Sequence, residues 1–273
     1  MVRRFARNKL ALLGLCFILA VVTLALAAPY LTSHAPNKQD IMNRLEPPSH
    51  DHRFGTDELG RDVFSRLAWG ARISLQVALL AVLGGASTGI LLGLLSGFYG
   101  GIFDMVTMRI MDTLSAFPGV LLAILIMSTL GSGNREVILA VGIWLVPTYA
   151  RIVRAEALRL RARDFVEAAR AIGATDGRIM VKHVLLNSLS PIIVYATLSI
   201  PGAILTAASL SYLGLGIKPP TPEWGAMISA ARSYMREAPT LILFPGMAIF
   251  ITVLSFNFVG DALRDALDPK LKV

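Results

Sequence analysis

Uncharged, largely apolar stretches divide the chain, and their lengths are its first structural information. They run over 10–28, 73–103, 113–134, 137–150, 184–217 and 238–260. A spanning helix needs roughly 20 apolar residues, because the hydrocarbon layer is about 30 Å thick and each helical residue rises about 1.5 Å. The pattern predicts an all-α, polytopic membrane protein with six transmembrane helices. The fourth run has only 14 uncharged residues, but Arg151 and Arg154 follow it and Arg135 and Glu136 precede it. Long basic side chains snorkel to an interface, so it counts as a span. The fifth run exceeds one crossing and contains Pro191, Pro201 and Gly202, so a kink or an interfacial part is expected there.

Composition agrees with this pattern. Of the 273 residues 55% are hydrophobic and 16% charged, and mean hydropathy is +0.63. A soluble enzyme or a disordered tail is excluded. The net charge of +8 comes from arginines scattered between apolar blocks rather than from a basic stripe, which argues against a nucleic-acid partner and for a lipid-facing one. The lone Cys16 sits in the first apolar run, excludes an intrachain disulfide and reads as inert packing.

Basic residues also orient the chain. With both termini cytoplasmic, 16 of the 26 Lys and Arg fall on the inner side, eight of them between Arg151 and Lys182. The first run, with its basic start and Ala25-Leu26-Ala27, also fits a cleavable signal peptide; its 19 uncharged residues exceed the usual h-region, which favours retention. No fixed-period repeat or linker divides the chain. A first helix with an outer loop (1–72) and a five-helix core (73–273) carrying a loop at 151–187 describe its organisation.

Within the second run Gly85, Gly89, Gly93, Gly97 and Gly101 recur every four residues, a small-residue ladder that lets another helix come close. Arg109 and Asp112 are three apart on one helix face, where each offsets the other's desolvation, beside Asp104. Asp112 is also a candidate for the solute path. On the fifth run Ser199, Gly202, Thr206 and Ser209 stack small and polar groups on one face, which suits either a solute path or helix contact. In the loop, Asp164 followed by Glu167 resembles a capping box starting a helix, Gly173 supplies a left-handed stop, and Thr175 caps a second helix through Ile179, Val181 and Leu185. The product is a helical knob suited to docking a soluble partner.

Glu167-Ala168-Ala169, with Gly173 beyond it, resembles the EAA motif of binding-protein-dependent ABC importer permeases. More specific are Phe54-Gly55-Thr56-Asp57-Glu58-Leu59-Gly60-Arg61-Asp62 with Ser65-Arg66 and Gly70-Ala71-Arg72, and Ser211-Tyr212-Leu213-Gly214-Leu215-Gly216 through Pro219, Pro220 and Trp224-Gly225. Asn257, Gly260-Asp261, Leu263-Arg264-Asp265 and Leu267-Asp268-Pro269 complete a likeness to the second membrane subunit of the dipeptide, oligopeptide and nickel importers. The resemblance implies a type I importer permease of the bacterial or archaeal cytoplasmic membrane. Its implied partners are a second, different permease chain, two ATPase subunits that bind ATP and Mg, and an extracytoplasmic solute-binding protein. It implies no cofactor in this chain.

It further implies that Asp164, Glu167, Ala168, Ala169, Arg170, Gly173 and Asp176 form the coupling helix, with Ala168 and Ala169 permitting close approach to an ATPase. Asp57, Arg61 and Asp62 are the expected contacts to the binding protein, although the same segment also reads as a capped turn. One departure is Leu186, where the family commonly has proline; leucine lets the second knob helix run on into the fifth span. Di- or oligopeptides are the expected solute, with nickel or another small solute as the alternative.

No G-x-x-x-x-G-K-[ST] occurs, so this chain has no P-loop, and no H-E-x-x-H is present. His50 and His52 flank Asp51 in the outer loop, a short arrangement that could touch a metal in a nickel system but reads first as a solvated loop; no metal site is assigned. A stand-alone secondary transporter would carry inverted repeats and mid-depth carboxylates, and neither is visible.

Overall fold

The computed structural model describes residues 8–267 as an all-helical bundle. Arg3, Arg4, Arg7, Lys270 and Lys272 of the charge count, and Asp268 and Pro269 of the terminal motif, lie outside the described residues. The helices are α1 (Lys9–Leu31), α2 (Val63–Tyr99), α3 (Gly101–Ser115), α4 (Gly119–Leu130), α5 (Asn134–Arg161), α6 (Asp164–Ala171), α7 (Asp176–Arg178), α8 (Leu189–Tyr212), α9 (Trp224–Ala231) and α10 (Thr240–Leu267). Between α7 and α8 the chain stays helical through a π segment, Ile179–Leu185, and a 3-10 turn, Leu186–Ser188. Leu186 thus continues the helix, as expected of a leucine in place of proline, and Asp176–Tyr212 forms one 37-residue rod.

Among the described residues five helices are long and apolar enough to cross a membrane, six when the α3–α4 pair counts as one span. That pair corrects the third run, which was expected to be a single helix. Its halves meet at 95°. Pro118 has no N–H to give and disfavours helix at Phe117 before it, so the chain turns there. At 12 residues α4 is about 18 Å long, too short to cross alone.

Helix ends outrun the charge-free runs. α2 starts at Val63 because the Asp62 carboxylate caps it, accepting from Ser65 N at 2.7 Å; the division at 72/73 therefore falls inside a helix. α5 runs on to Arg161 because its arginines find acceptors. Arg154 binds the Asp104 carboxylate, with Nη2 to Oδ2 at 2.6 Å, and Ser96 Oγ donates to the same group at 2.6 Å. Arg151 donates to Asp112 Oδ1 at 3.3 Å and to Ser115 Oγ at 2.7 Å. The expected Arg109–Asp112 pair is thereby replaced: Asp112 answers a neighbouring helix, a link no local spacing reveals.

The glycine ladder packs α2 on α5 inside this one chain. A Cβ at Gly85, Gly89 or Gly93 would stand 2.3–2.5 Å from α5 atoms, and one at Gly97 2.7 Å from Ala157 Cβ. Gly101 is not a rung; it begins α3 after the bend at Gly100 and faces open space. The main core gathers around this contact, including Ala78, Ala81, Val141, Tyr149 and Ile204. α1 lies at the periphery and touches α10 where Gly14 meets Ser255. Cys16 faces outward rather than packing.

Candidate functional site

A second, separate core sits at one end of the bundle and carries the knob. Val166 and Ala169 from α6, with Ile179, Met180 and Val184, pack against Leu94 and Phe98 of α2 and Val153, Ala157 and Leu160 of α5. Val166, Ile179 and Val184 are at most 1% exposed. α6 is thus bolted to the ends of two long helices, and displacement of one displaces the others.

The corner works as the glycine implies. Gly173 has φ +81°, Gly173 N donates to Arg170 O at 2.9 Å and Ala174 N to Ala169 O at 3.0 Å, the pair of hydrogen bonds of a left-handed helix stop. Among the described residues nothing lies within 4 Å of where its Cβ would be. The capping box does not form: Asp164 is already helical, the cap position is Arg163, and the Arg163 side chain makes no capping bond. Thr175 occupies the expected cap position without its hydroxyl bonding. Asp164, Glu167, Ala168, Arg170 and Asp176 are exposed, and Arg170 lies 3.9 Å from Asp176.

Ala169 departs from its expected role, since it faces inward and is 6% exposed. The outward apolar edge is instead Phe165, Ala168 and Ile172, with Ile172 86% exposed. They border a hollow completed by Gly173, Arg178 and Lys182. Sequence reading missed Phe165 and Ile172, although their spacing of three and four around Ala168 is a helical face.

At the opposite end, Asp57, Arg61 and Asp62 are 4–6% exposed, not surface contacts. Asp57 accepts from Leu59 N and Arg61 N, each at 2.9 Å, and from Arg61 Nε at 2.7 Å, while Arg66 Nε lies 3.3 Å away. Gly60, at φ +69°, lies against Asp40, where a Cβ would meet the carbonyl oxygen at 1.7 Å. Arg66 also donates to Pro36 O at 3.1 Å and Pro220 O at 3.4 Å. The motif therefore builds a plate joining the 32–62 loop, α2 and the segment before α9.

The polar face expected on α8 is split. Ser199 and Thr206 are buried; Ser199 Oγ accepts from Tyr149 Oη at 3.3 Å and donates to Tyr195 O at 2.7 Å. Gly202 lies under Trp144. Ser209 alone opens onto a groove, shared with Leu205, Tyr212 and Ile249. Asp112 is exposed and paired with Arg151.

Glu223, which sequence reading passed over, is 2% exposed and caps α9, accepting from Gly225 N at 2.9 Å and Ala226 N at 2.8 Å. Burial holds its carboxyl above the ordinary value of 4.5, against the two N–H bonds that favour the anion. The native state thus holds this proton more tightly than the unfolded chain, so its contribution is fully present below 4.5 and is lost as pH rises through the raised native value. Thermal melts in detergent between pH 4.5 and 8 check this. Relative to Glu223→Gln, the native chain should lose stability as pH rises, whereas parallel curves would exclude it.

Comparison with known proteins agrees with this architecture. Residues 89–273 match the family described as binding-protein-dependent transport system inner membrane component, and residues 1–48 the N-terminal TM domain of oligopeptide transport permease C. The dipeptide transport system permease protein DppC of Alkalihalophilus pseudofirmus is 48% identical over 270 residues, covering 99% of this chain and 89% of that protein. The glutathione transport system permease protein GsiD of Pectobacterium atrosepticum is 49% identical over 271 residues, covering 99% and 90%. In fold the chain is similar to a chain of the MetNI methionine ABC transporter in inward-facing conformations, with a TM-score of 0.60 and 20% identity over 74% of this chain and 96% of that one. The chain belongs to the binding-protein-dependent transport system inner membrane components, multi-pass ABC permease subunits that work with ATPase and solute-binding partners.

Proposed function

We propose that this chain is the second permease of a peptide importer, paired with a different permease chain and driven by two ATPases that hold ATP and Mg. The α6–Gly173–α7 knob is the coupling element, and the knob end, with both termini, faces the cytoplasm. The observation that carries this reading is the second core: a knob packed on α2 and α5 that still presents Phe165, Ala168 and Ile172 outward. An ATPase cleft closing on that edge moves the knob as a body and rocks the long helices. A cavity shared with the partner permease then opens alternately to each side, with Ser209 facing the groove side and Ser199, Gly202 and Thr206 adjusting within the helix contact. Asp112, paired with Arg151, marks the knob end of that path.

Di- and tripeptide-sized solutes are the substrate class, supported by relatives named for dipeptide and glutathione at 48–49% identity. The solute-binding protein delivers them to the plate end, where Asp57, Arg61 and Asp62 hold the docking surface in shape from beneath. Proteoliposomes with the assembled complex and its binding protein test the coupling. Gly173→Val forces a β-branched residue into the left-handed region at a local cost of about 1–2 kcal/mol, in a place with no neighbours to disturb. Gly173→Val and Glu167→Lys should each assemble, hydrolyse ATP and lose at least about tenfold in peptide uptake, a change of about 1.4 kcal/mol in coupling. Normal uptake by both assembled variants would refute the assignment.

A further inference from the structure

Three side chains from separate stretches converge beside the plate end of α2: His34 just past α1, His52 in the long loop, and Asp62 at the cap of α2. One ligand-capable atom from each lies within 4.8 Å of the others. His52 Nδ1 stands 2.9 Å from Asp62 Oδ1, and the rings of His34 and His52 have centroids 4.7 Å apart, tilted by 35°. We propose that these residues form a site for a divalent first-row transition-metal ion, with Zn2+ the fitting case, which clamps the 32–62 loop to the start of α2.

The donor set carries the assignment. Two imidazoles and one carboxylate suit Zn2+ and its neighbours, which take nitrogen and oxygen ligands at about 2.0–2.2 Å. A hydrogen bond between His52 and Asp62 accounts for those two residues, but not for a second imidazole turned against the first. The carboxylate is already oriented: its Oδ2 accepts from Ser65 N at 2.7 Å, leaving Oδ1 toward the histidines, as supporting bonds do in metal sites. The side chains of His52 and Asp62 are 15% and 4% exposed, so two ligands are preorganised, and His34 is half-buried beside them.

The site also has an entrance. It opens on a cleft lined by Leu31, Ser33, His50, Asp51 and Arg53 together with His34 and Asp62. The His50 and Asp51 side chains are fully or almost fully exposed, so the remaining coordination position is open to water or to either of them. Arg53, the cation in this cleft, lies over the Phe64 ring, 5.6 Å from its centroid. A metal here closes the chain between residues 34 and 62, a segment whose only regular element is a single 3-10 turn, and such a clip gains from restricting a long loop.

The test uses the tag-free full-length chain in detergent, stripped with chelator and dialysed against Zn2+. Bound metal is read by mass spectrometry and affinity by calorimetry. The expected result is one Zn2+ per chain, with affinity lowered on the order of 100-fold in His34→Asn and in His52→Gln, since even outer partners of a metal site are worth about 10–100-fold. His50→Asn should retain the stoichiometry. His34→Asn leaves the His52–Asp62 bond intact and decides the matter if His52→Gln does not fold. No stoichiometric Zn2+, or undiminished binding in His34→Asn, would overturn the site and leave the coupling assignment untouched.

Discussion

Gly93→Ala is expected to destabilise the bundle severely, while Gly84→Ala, nine residues earlier on the same helix, leaves it as stable or slightly more so. A Cβ at Gly93 would stand 2.3 Å from the Ala150 carbonyl oxygen and 3.0 Å from its Cα, both backbone atoms of α5 that have no rotamer to retreat into. α2 must move away, and the contacts at Gly85, Gly89 and Gly97 loosen with it. Inside a membrane such helix contacts rest on close packing rather than on water exclusion, so lost proximity has no substitute. Overpacking of this kind costs about 1–3 kcal/mol, occasionally more. At Gly84 nothing lies within 4 Å, and replacing a helical glycine by alanine gains roughly 0.5–1 kcal/mol. Thermal melts of detergent-purified protein give the two signs directly; a Gly93→Ala variant as stable as Gly84→Ala would contradict the packing described for the ladder.

The ladder was legible in the sequence because a four-residue interval of glycines has one physical use in a membrane helix. Its partner was not legible, since nothing in Gly142, Val146 and Ala150 announces which helix they will meet. The same division runs through the rest of the molecule. Apolar runs locate the long helices but not their ends, because a charged residue need not end a helix. Asp62 instead caps α2, and Arg151 and Arg154 extend α5 by pairing with Asp112 and Asp104. Pro118 carries the signal for the break between α3 and α4, one that the length of an uncharged run does not contain.

At the knob, Gly173 alone fixed the corner, since a positive φ is a local property. The inward turn of Ala169 and the outward edge of Phe165 and Ile172 depend on how α6 lies on the second core, which is a tertiary fact. His34 and His52 are 18 positions apart with an irregular loop between them, so their meeting has no sequence signature.

Asp57→Ala should be the more damaging of the plate variants, because it strands charge rather than merely removing it. Arg61 and Arg66 are 4% and 5% exposed, and Asp57 is the carboxylate they share, at 2.7 Å and 3.3 Å. Glu58 still reaches Arg61 at 2.7 Å, but Arg66 is left with carbonyl and amide oxygens only. Removing one partner of a buried pair costs about 3–5 kcal/mol, whereas replacing the whole arrangement by apolar groups is often neutral. The expected order of stability is therefore native, then Asp57→Ala/Arg66→Met, then Asp57→Ala, measured by thermal melts and by protease sensitivity of the 32–62 loop. The double variant falls short of native because Arg61 remains. Because Arg66 also ties the loop to Pro220, Asp57→Ala should expose that loop to protease before the helices melt. If Asp57→Ala matches the native chain in both measurements, the Gly55 to Asp62 motif is not a structural plate, and its charged residues revert to the surface-recognition role that their sequence first suggested.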